Sequence, residues 1–250
     1  MTLVVVGSAR GAPGATTLAL AVTAWLEDAV LVEADPDGGV LASRHGLGRE
    51  PGLVTLAAGQ PSAGETLLDH AQRLPGGLPV VVAPESAERA THLWRTAGPA
   101  LVRALSTGRD VPVVVDTGRL GPSSPALALL PAASLVVVAA RPTADQLLAA
   151  TDRARAISRV NDQVAIALVG EGPYSASDVN GELGCEVLGT LATDARAAGA
   201  LAGGGTARHL ARSPLLRSAR GLAEEIARRS GIPAAASART GSAPLEGARR

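Results

Sequence analysis

Short apolar runs recur along the chain at 3–6, 30–32, 80–83, 111–115, 135–139, 164–169 and 186–188. They are built from Val, Leu and Ala, and turn residues bound most of them. Runs of this kind predict strands buried on both faces, as in a parallel sheet. Stretches of helical composition lie between most of them, at 16–27, 87–106, 143–160 and 175–183. Strands that alternate with helices imply βαβ units. The pattern therefore predicts one α/β domain, doubly wound, with a mainly parallel sheet of about seven strands and helices on both faces. Pro112 has no N–H for a ladder, which places it at the start of its strand.

The other segments punctuate this plan. Residues 36–64 are rich in Gly and Ser and lack clear periodicity, so a mobile loop is expected there, with one short helix at 53–58. A last helix is expected over 214–229, with Pro214 at its first turn. Residues 231–250 are Ala, Ser, Gly, Pro and Arg with almost no large apolar residue. They read as a disordered tail behind a domain spanning 1–230. No repeat of fixed period is present.

Composition narrows the class. The 250 residues carry a formal net charge of zero, so no overall field draws nucleic acid or an anionic membrane. Aromatics are limited to Trp25, Trp94 and Tyr174, leaving the core to Val, Leu and Ala. Lysine is absent, and all 23 basic residues are arginine, a bias that points to a GC-rich genome. Cys185 stands alone, which excludes an internal disulfide or a multi-cysteine metal site and suits a reducing, cytoplasmic setting. The run at 3–6 is too short for a signal peptide, and no stretch approaches the ~18 apolar residues of a membrane span.

The segment with most chemistry is Gly7-Ser8-Ala9-Arg10-Gly11-Ala12-Pro13-Gly14-Ala15-Thr16-Thr17. It follows the first predicted strand and opens the first predicted helix, which is the setting of a phosphate-binding loop. Small residues let successive backbone N–H groups face one concavity, and the helix dipole adds positive potential. Against Gly-x-x-x-x-Gly-Lys-[Ser/Thr], Ala9 takes the first glycine, Gly14 the second, Ala15 the lysine and Thr16 the hydroxyl that usually holds Mg²⁺. A tight strand-to-helix turn without a ligand would use the same residue types. Two carboxylates favour the ligand. Asp35 and Asp116 each end an apolar strand, at the edge of a parallel sheet where ligands bind. From there a carboxylate can hold Mg²⁺ or orient an attacking water, although aspartate is also a common turn cap.

In this order the residues resemble the ParA/MinD group of P-loop ATPases, of the SIMIBI type. That group has the deviant motif Lys-Gly-Gly-x-Gly-Lys-Thr-Thr, and Arg10-Gly11-Ala12-Pro13-Gly14-Ala15-Thr16-Thr17 stands in its place. Asp35-Pro36-Asp37-Gly38 is similar to the group's Asp-Pro-Gln-Gly segment, and Asp116 to its Walker B aspartate. Residues 136–146 and 187–194 are similar to later strands and turns, so the likeness runs through 1–229. The resemblance implies ATP and Mg²⁺ as ligands and a homodimer with nucleotide between the subunits. It also implies a role in hydrolysis for Asp35 and a first motif lysine, here Arg10, that reaches across the dimer. Ala15 replaces the second lysine, which contacts the β- and γ-phosphates, and one lost donor of that type lowers the rate on the order of 10²–10³-fold. Actinobacterial sequences with degenerate P-loops look similar, among them TadZ/CpaE proteins that localise pilus-assembly machinery.

Three readings remain open at this point. One is a nucleotide-binding positioning or assembly factor that hydrolyses slowly or not at all and binds proteins of a secretion, pilus or division system. Another is an ATPase in which Arg44, Arg119 or Arg141 replaces the missing lysine. The last is a nucleotide-free scaffold. Elsewhere His45, His70, His92 and His209 have no metal-ligand spacing, and Ser123 and Ser124 lack a nucleophile elbow. Arg208, Arg212, Arg217, Arg220, Arg228 and Arg229 are interrupted by Glu224 and Glu225, which fits a solvated helix face better than a nucleic-acid surface.

Overall fold

The computed structural model describes residues 2–11, 13–59, 66–107, 111–203 and 210–235. Ala12, Arg208, His209, 60–64 of the expected loop and 236–250 of the expected tail lie outside the described residues. Among the described residues the sheet has eight strands, in the order β3-β4-β2-β5-β1-β6-β7-β8. They are β1 (Leu3–Ser8), β2 (Val30–Glu33), β3 (Gln72–Arg73), β4 (Pro79–Val81), β5 (Val113–Arg119), β6 (Leu135–Ala140), β7 (Val164–Val169) and β8 (Val187–Leu191). All pairings are parallel except β3 with β4. Seven strands are those expected. The eighth, β3, is a polar edge dipeptide with no apolar run to announce it.

Burial on both faces explains the Val/Ala strands. Val4 and Val6 of β1 point into one apolar cluster and Leu3 and Val5 into the other. The first cluster lies under α1 (Ala15–Thr23), α2 (Leu41–His45), α7 (Ala195–Leu201) and α8 (Pro214–Ser230). The second lies under α3 (Leu53–Ala58), α4 (Ala87–Thr107), α5 (Ala144–Ile157), α6 (Ala176–Leu183) and a 3₁₀ stretch, Pro125–Ala132. Helices thus cover both faces of a doubly wound sheet, as the pattern of runs predicts.

Helix character follows local chemistry. α1 packs against the sheet and α8, so every position from Leu18 to Val22 is apolar, and its one fully buried hydroxyl, Thr23, donates to the Ala19 carbonyl at 2.6 Å. α8 begins with Ser213, whose Oγ accepts from the Leu216 N–H, then Pro214. It buries Leu215, Leu216, Ala219, Leu222, Ala223 and Ile226, a stripe of helical period. Its arginines face outward or pair: Arg220 stacks over Trp25 and bonds Glu224, while Arg228 and Arg229 bond Glu225. That is the solvated face expected of this region.

Three differences from the sequence reading have physical causes. α1 stops at Thr23 rather than 27, because Trp25 and Leu26 turn inward and are buried. Residues 231–235 are not part of a free tail: Ile232 is buried, Ala234 bridges Leu26, and Ala235 N–H donates to the Trp25 carbonyl. The region after β2 holds α2 as well as α3, its five residues too short to show periodicity.

Candidate functional site

Register brings the site together. In the sheet Val6 of β1 lies opposite Asp116 of β5, and Glu33 of β2 also lies opposite Asp116. The ends of β1, β2 and β5 therefore converge at one edge, where the chain leaves β1 for α1. Past Ser8 the loop reaches Gly14 at φ +100°, a left-handed conformation that favours glycine, and α1 starts at the next residue. Gly14 has no side chain to cap the helix, so no side-chain cap occupies the first-turn N–H groups of α1. Arg10 and Gly11 are exposed, Pro13 is buried, and Thr16 and Thr17 are half-buried. Ala15 is buried, its methyl in the apolar cluster under α1.

Asp116 is buried, and the Thr16 hydroxyl and the Gly118 N–H, the latter at 3.0 Å, bond its carboxylate. Burial pushes its pKa up to about 6, and the nearby Glu33 charge adds to this; Thr16, the Gly118 N–H and Arg44 oppose it. Asp35 lies two residues beyond the end of β2 and accepts the Asp37 N–H at 2.8 Å, an Asx turn. Burial pushes its pKa up to about 6 as well, aided by Asp116 and Asp37 and opposed by the Asp37 N–H and Arg119. Gly118, at φ +60°, lies so close to Asp35 that a Cβ there would stand 2.6 Å from Oδ1 and nearer still to Oδ2.

Glu33 is a buried carboxylate that sequence reasoning missed. It accepts from the N–H groups of Val40 at 2.6 Å, Leu41 at 3.0 Å and Ala83 at 3.1 Å. Burial raises its pKa against those three bonds. Its role is to pin the segment after Asp35 to the end of β4. Trp94 of α4 braces the same segment by donating to the Ala34 carbonyl, and Thr91 does so at the Pro36 carbonyl. A charged residue closing an otherwise apolar strand was the only signal for Glu33; its partners are up to 50 residues away.

α5 closes the other side of the loop. Gln146 accepts the Arg141 N–H at 3.1 Å, and its Nε2 sits 3.4 Å from where a Cβ on Gly11 would be. Asp145 is held below the usual carboxylate range, chiefly by the Thr143 hydroxyl and in part by the charge of Arg10. Of the arginines weighed as substitutes for lysine, Arg44 is felt at Asp116 and Arg119 at Asp35, while Arg141 is exposed. Among the described residues no three His, Cys, Asp or Glu side chains are grouped as a metal cage. His45 contacts the Leu201 carbonyl and His70 the Thr55 hydroxyl. Among the described residues no helix is long and apolar enough to cross a membrane.

No protein-family model and no curated protein sequence matches the chain. Solved structures do. A ParA family ATPase from Chlorobium tepidum TLS superposes with a TM-score of 0.72 at 15% identity, over 89% of this chain and 98% of that one. The septum site-determining protein MinD from Pyrococcus horikoshii OT3, complexed with Mg-ADP, gives 0.72 at 14%, over 90% and 95%. A chain of the MinC:MinD cell division protein complex of Aquifex aeolicus gives 0.65 at 14%, over 94% and 99%. At such identities the likeness speaks for architecture, and the architecture of this chain is that of the ParA and MinD ATPases.

Proposed function

We propose that the chain is a ParA/MinD-like nucleotide-binding positioning or assembly factor whose ATP hydrolysis is slow or absent. The observation that carries this reading is the left-handed Gly14 opening α1, with the Thr16 hydroxyl bonded to buried Asp116 behind it. The loop N–H groups of Arg10, Gly11, Ala12, Gly14, Ala15, Thr16 and Thr17 would receive phosphate at the positive end of α1, and Pro13 would hold the turn. Thr16 and Asp116, with Asp35 near them, would hold Mg²⁺; two carboxylates and a hydroxyl suit an ion that keeps waters and phosphate oxygens as its other ligands. The nucleotide then supplies the γ-phosphate, whose presence or absence the loop reads. Asp35 would orient water for attack.

Weak turnover follows from Ala15. Its buried methyl offers no ammonium to the phosphates, while the backbone cradle does not need one. Binding therefore persists where hydrolysis fails. A homodimer with Arg10 at the shared face, and protein partners of a pilus, secretion or division system, complete the proposal, in line with the resemblance to actinobacterial TadZ/CpaE-like sequences. A rescued ATPase is the second reading, favoured by the Arg44 and Arg119 charges felt at Asp116 and Asp35. Calorimetric titration with MgATP tests the first reading, and absence of binding at millimolar nucleotide rejects it in favour of a nucleotide-free scaffold. Steady turnover lost in both Asp35→Ala and Asp116→Ala would instead establish the second.

A further inference from the structure

Between α5 and α6 runs a groove of about 200 Å³. Leu147 and Val179 form its buried floor. Leu148 is 59% exposed and Tyr174 38%, and these are two of only five large apolar side chains so exposed among the described residues. Isolated exposed leucines need no explanation, but two large apolar groups converging on one concavity mark an interaction surface.

The rim has one sign of charge. Asp178 and Glu182 line it from α6, and no basic side chain does. The Ser175 N–H and hydroxyl bond Asp178 at 2.7 and 2.8 Å and hold its carboxylate below the usual range, so it is ionised at neutral pH. On α5, Asp145 and Asp152 lie three residues before and four after Leu148, on the same side of the helix. The guanidinium of Arg155 is turned to the Leu183 carbonyl at one end, and Arg10 lies toward Asp145 at the other. An apolar floor under a negative rim repels nucleic acid and anionic lipid, and it attracts a cationic protein segment.

We propose that the α5–α6 groove is a docking site for a protein segment that presents one or two aliphatic side chains flanked by lysine or arginine. The aliphatic group fills the space over Leu147 and Val179 beside Leu148 and Tyr174. Its basic neighbours face Asp178 and Glu182. No residue of the P-loop lines the groove.

The test uses the full isotope-labelled chain and two synthetic helical peptides with the same leucine stripe, one with a lysine/arginine polar face and one with a glutamate face. The basic peptide is expected to shift the amide signals of Leu148, Val179 and Glu182, and the acidic peptide to leave them in place. Leu148→Ala should weaken the basic peptide about 30-fold, the loss typical of an interface anchor. Glu182→Arg should weaken it several-fold and reduce its salt dependence. Both positions are exposed, so circular dichroism of the variants should match the parent. Equal binding of the two peptides, shifts confined to other surfaces, or parent-like affinity in both variants would overturn the proposal. So would sedimentation showing a parent dimer that Leu148→Ala converts to monomer, because the groove would then hold a second copy of the chain. A MgATP titration on Leu148→Ala, expected to match the parent, keeps failure here separate from failure of the nucleotide reading.

Discussion

Replacing Gly118 with alanine perturbs the site without changing a residue of the P-loop. Gly118 sits at φ +60°, and a Cβ there would fall 2.6 Å from Asp35 Oδ1 and closer to Oδ2. Carbon needs roughly 3.5 Å, so the carboxylate must retreat by about 1 Å or more. That movement breaks the 2.8 Å bond from the Asp37 N–H. The left-handed alanine costs about 1–2 kcal/mol and the lost bond about 1 kcal/mol more. A total of about 2–3 kcal/mol lowers Tm by roughly 8 °C in a chain of this size. The assay is a thermal melt in a double-mutant cycle with Asp35→Ala. Without a carboxylate to displace, Gly118→Ala should cost only its backbone share, leaving a coupling of about 1 kcal/mol between the two positions. Equal Tm losses in both backgrounds would refute the contact on which the reasoning rests.

Other outcomes follow from the same geometry. Asp116 has a folded pKa of about 6, above the unfolded value near ~3.9. Its contribution is therefore fully present below pH ~4 and lost as pH rises through about 6, on the order of 3 kcal/mol. Denaturant midpoints should fall more steeply for the parent than for Asp116→Asn between pH ~4 and ~6.5, and parallel slopes would count against a buried, charge-averse Asp116. Gly14→Asp places a carboxylate in the phosphate concavity and should abolish any MgATP-induced rise in Tm; a preserved rise would move the ligand elsewhere. Trp94→Ala removes a buried ring and its bond to the Ala34 carbonyl, and should cost about 3–5 kcal/mol in urea denaturation. Ala15→Lys should raise ATP turnover by on the order of 10²-fold, and unchanged turnover despite nucleotide binding would show that the missing ammonium is not what limits hydrolysis.

The sheet was legible because its strands are buried on both faces, which leaves unbroken Val/Ala runs such as 135–139. Asp116 was legible for the same reason, since it directly follows the apolar run 113–115, although β5 itself continues to Arg119; Asp35 stands after Glu33 and Ala34, two residues past the end of β2. What escaped was whatever depends on distant partners or on too few residues. β3 is two polar residues, and α2 five. Glu33 looks like the solvent-facing end of a strand until Val40, Leu41 and Ala83 bring their N–H groups to it. Gly118 resembles any turn glycine until Asp35 packs against it. The segment 231–235 lacks the density of apolar residues that signals a core, yet the single Ile232 and its backbone bonds suffice to seat it.

That last segment has a consequence for how the molecule breathes. Glu27 N–H donates to the Pro233 carbonyl and Ala235 N–H to the Trp25 carbonyl, so the chain's final described residues clamp the turn that follows α1. Helices ordinarily fray from both ends. Here one end of α1 cannot unwind until the clamp lets go, which leaves the Gly14 end as the one free to loosen. Amide exchange along α1 should therefore be lopsided, fast near the phosphate-shaped loop and slow toward Thr23. Deletion from Gly231 onward would even the two ends out, and fast exchange would then reach Thr23 as well.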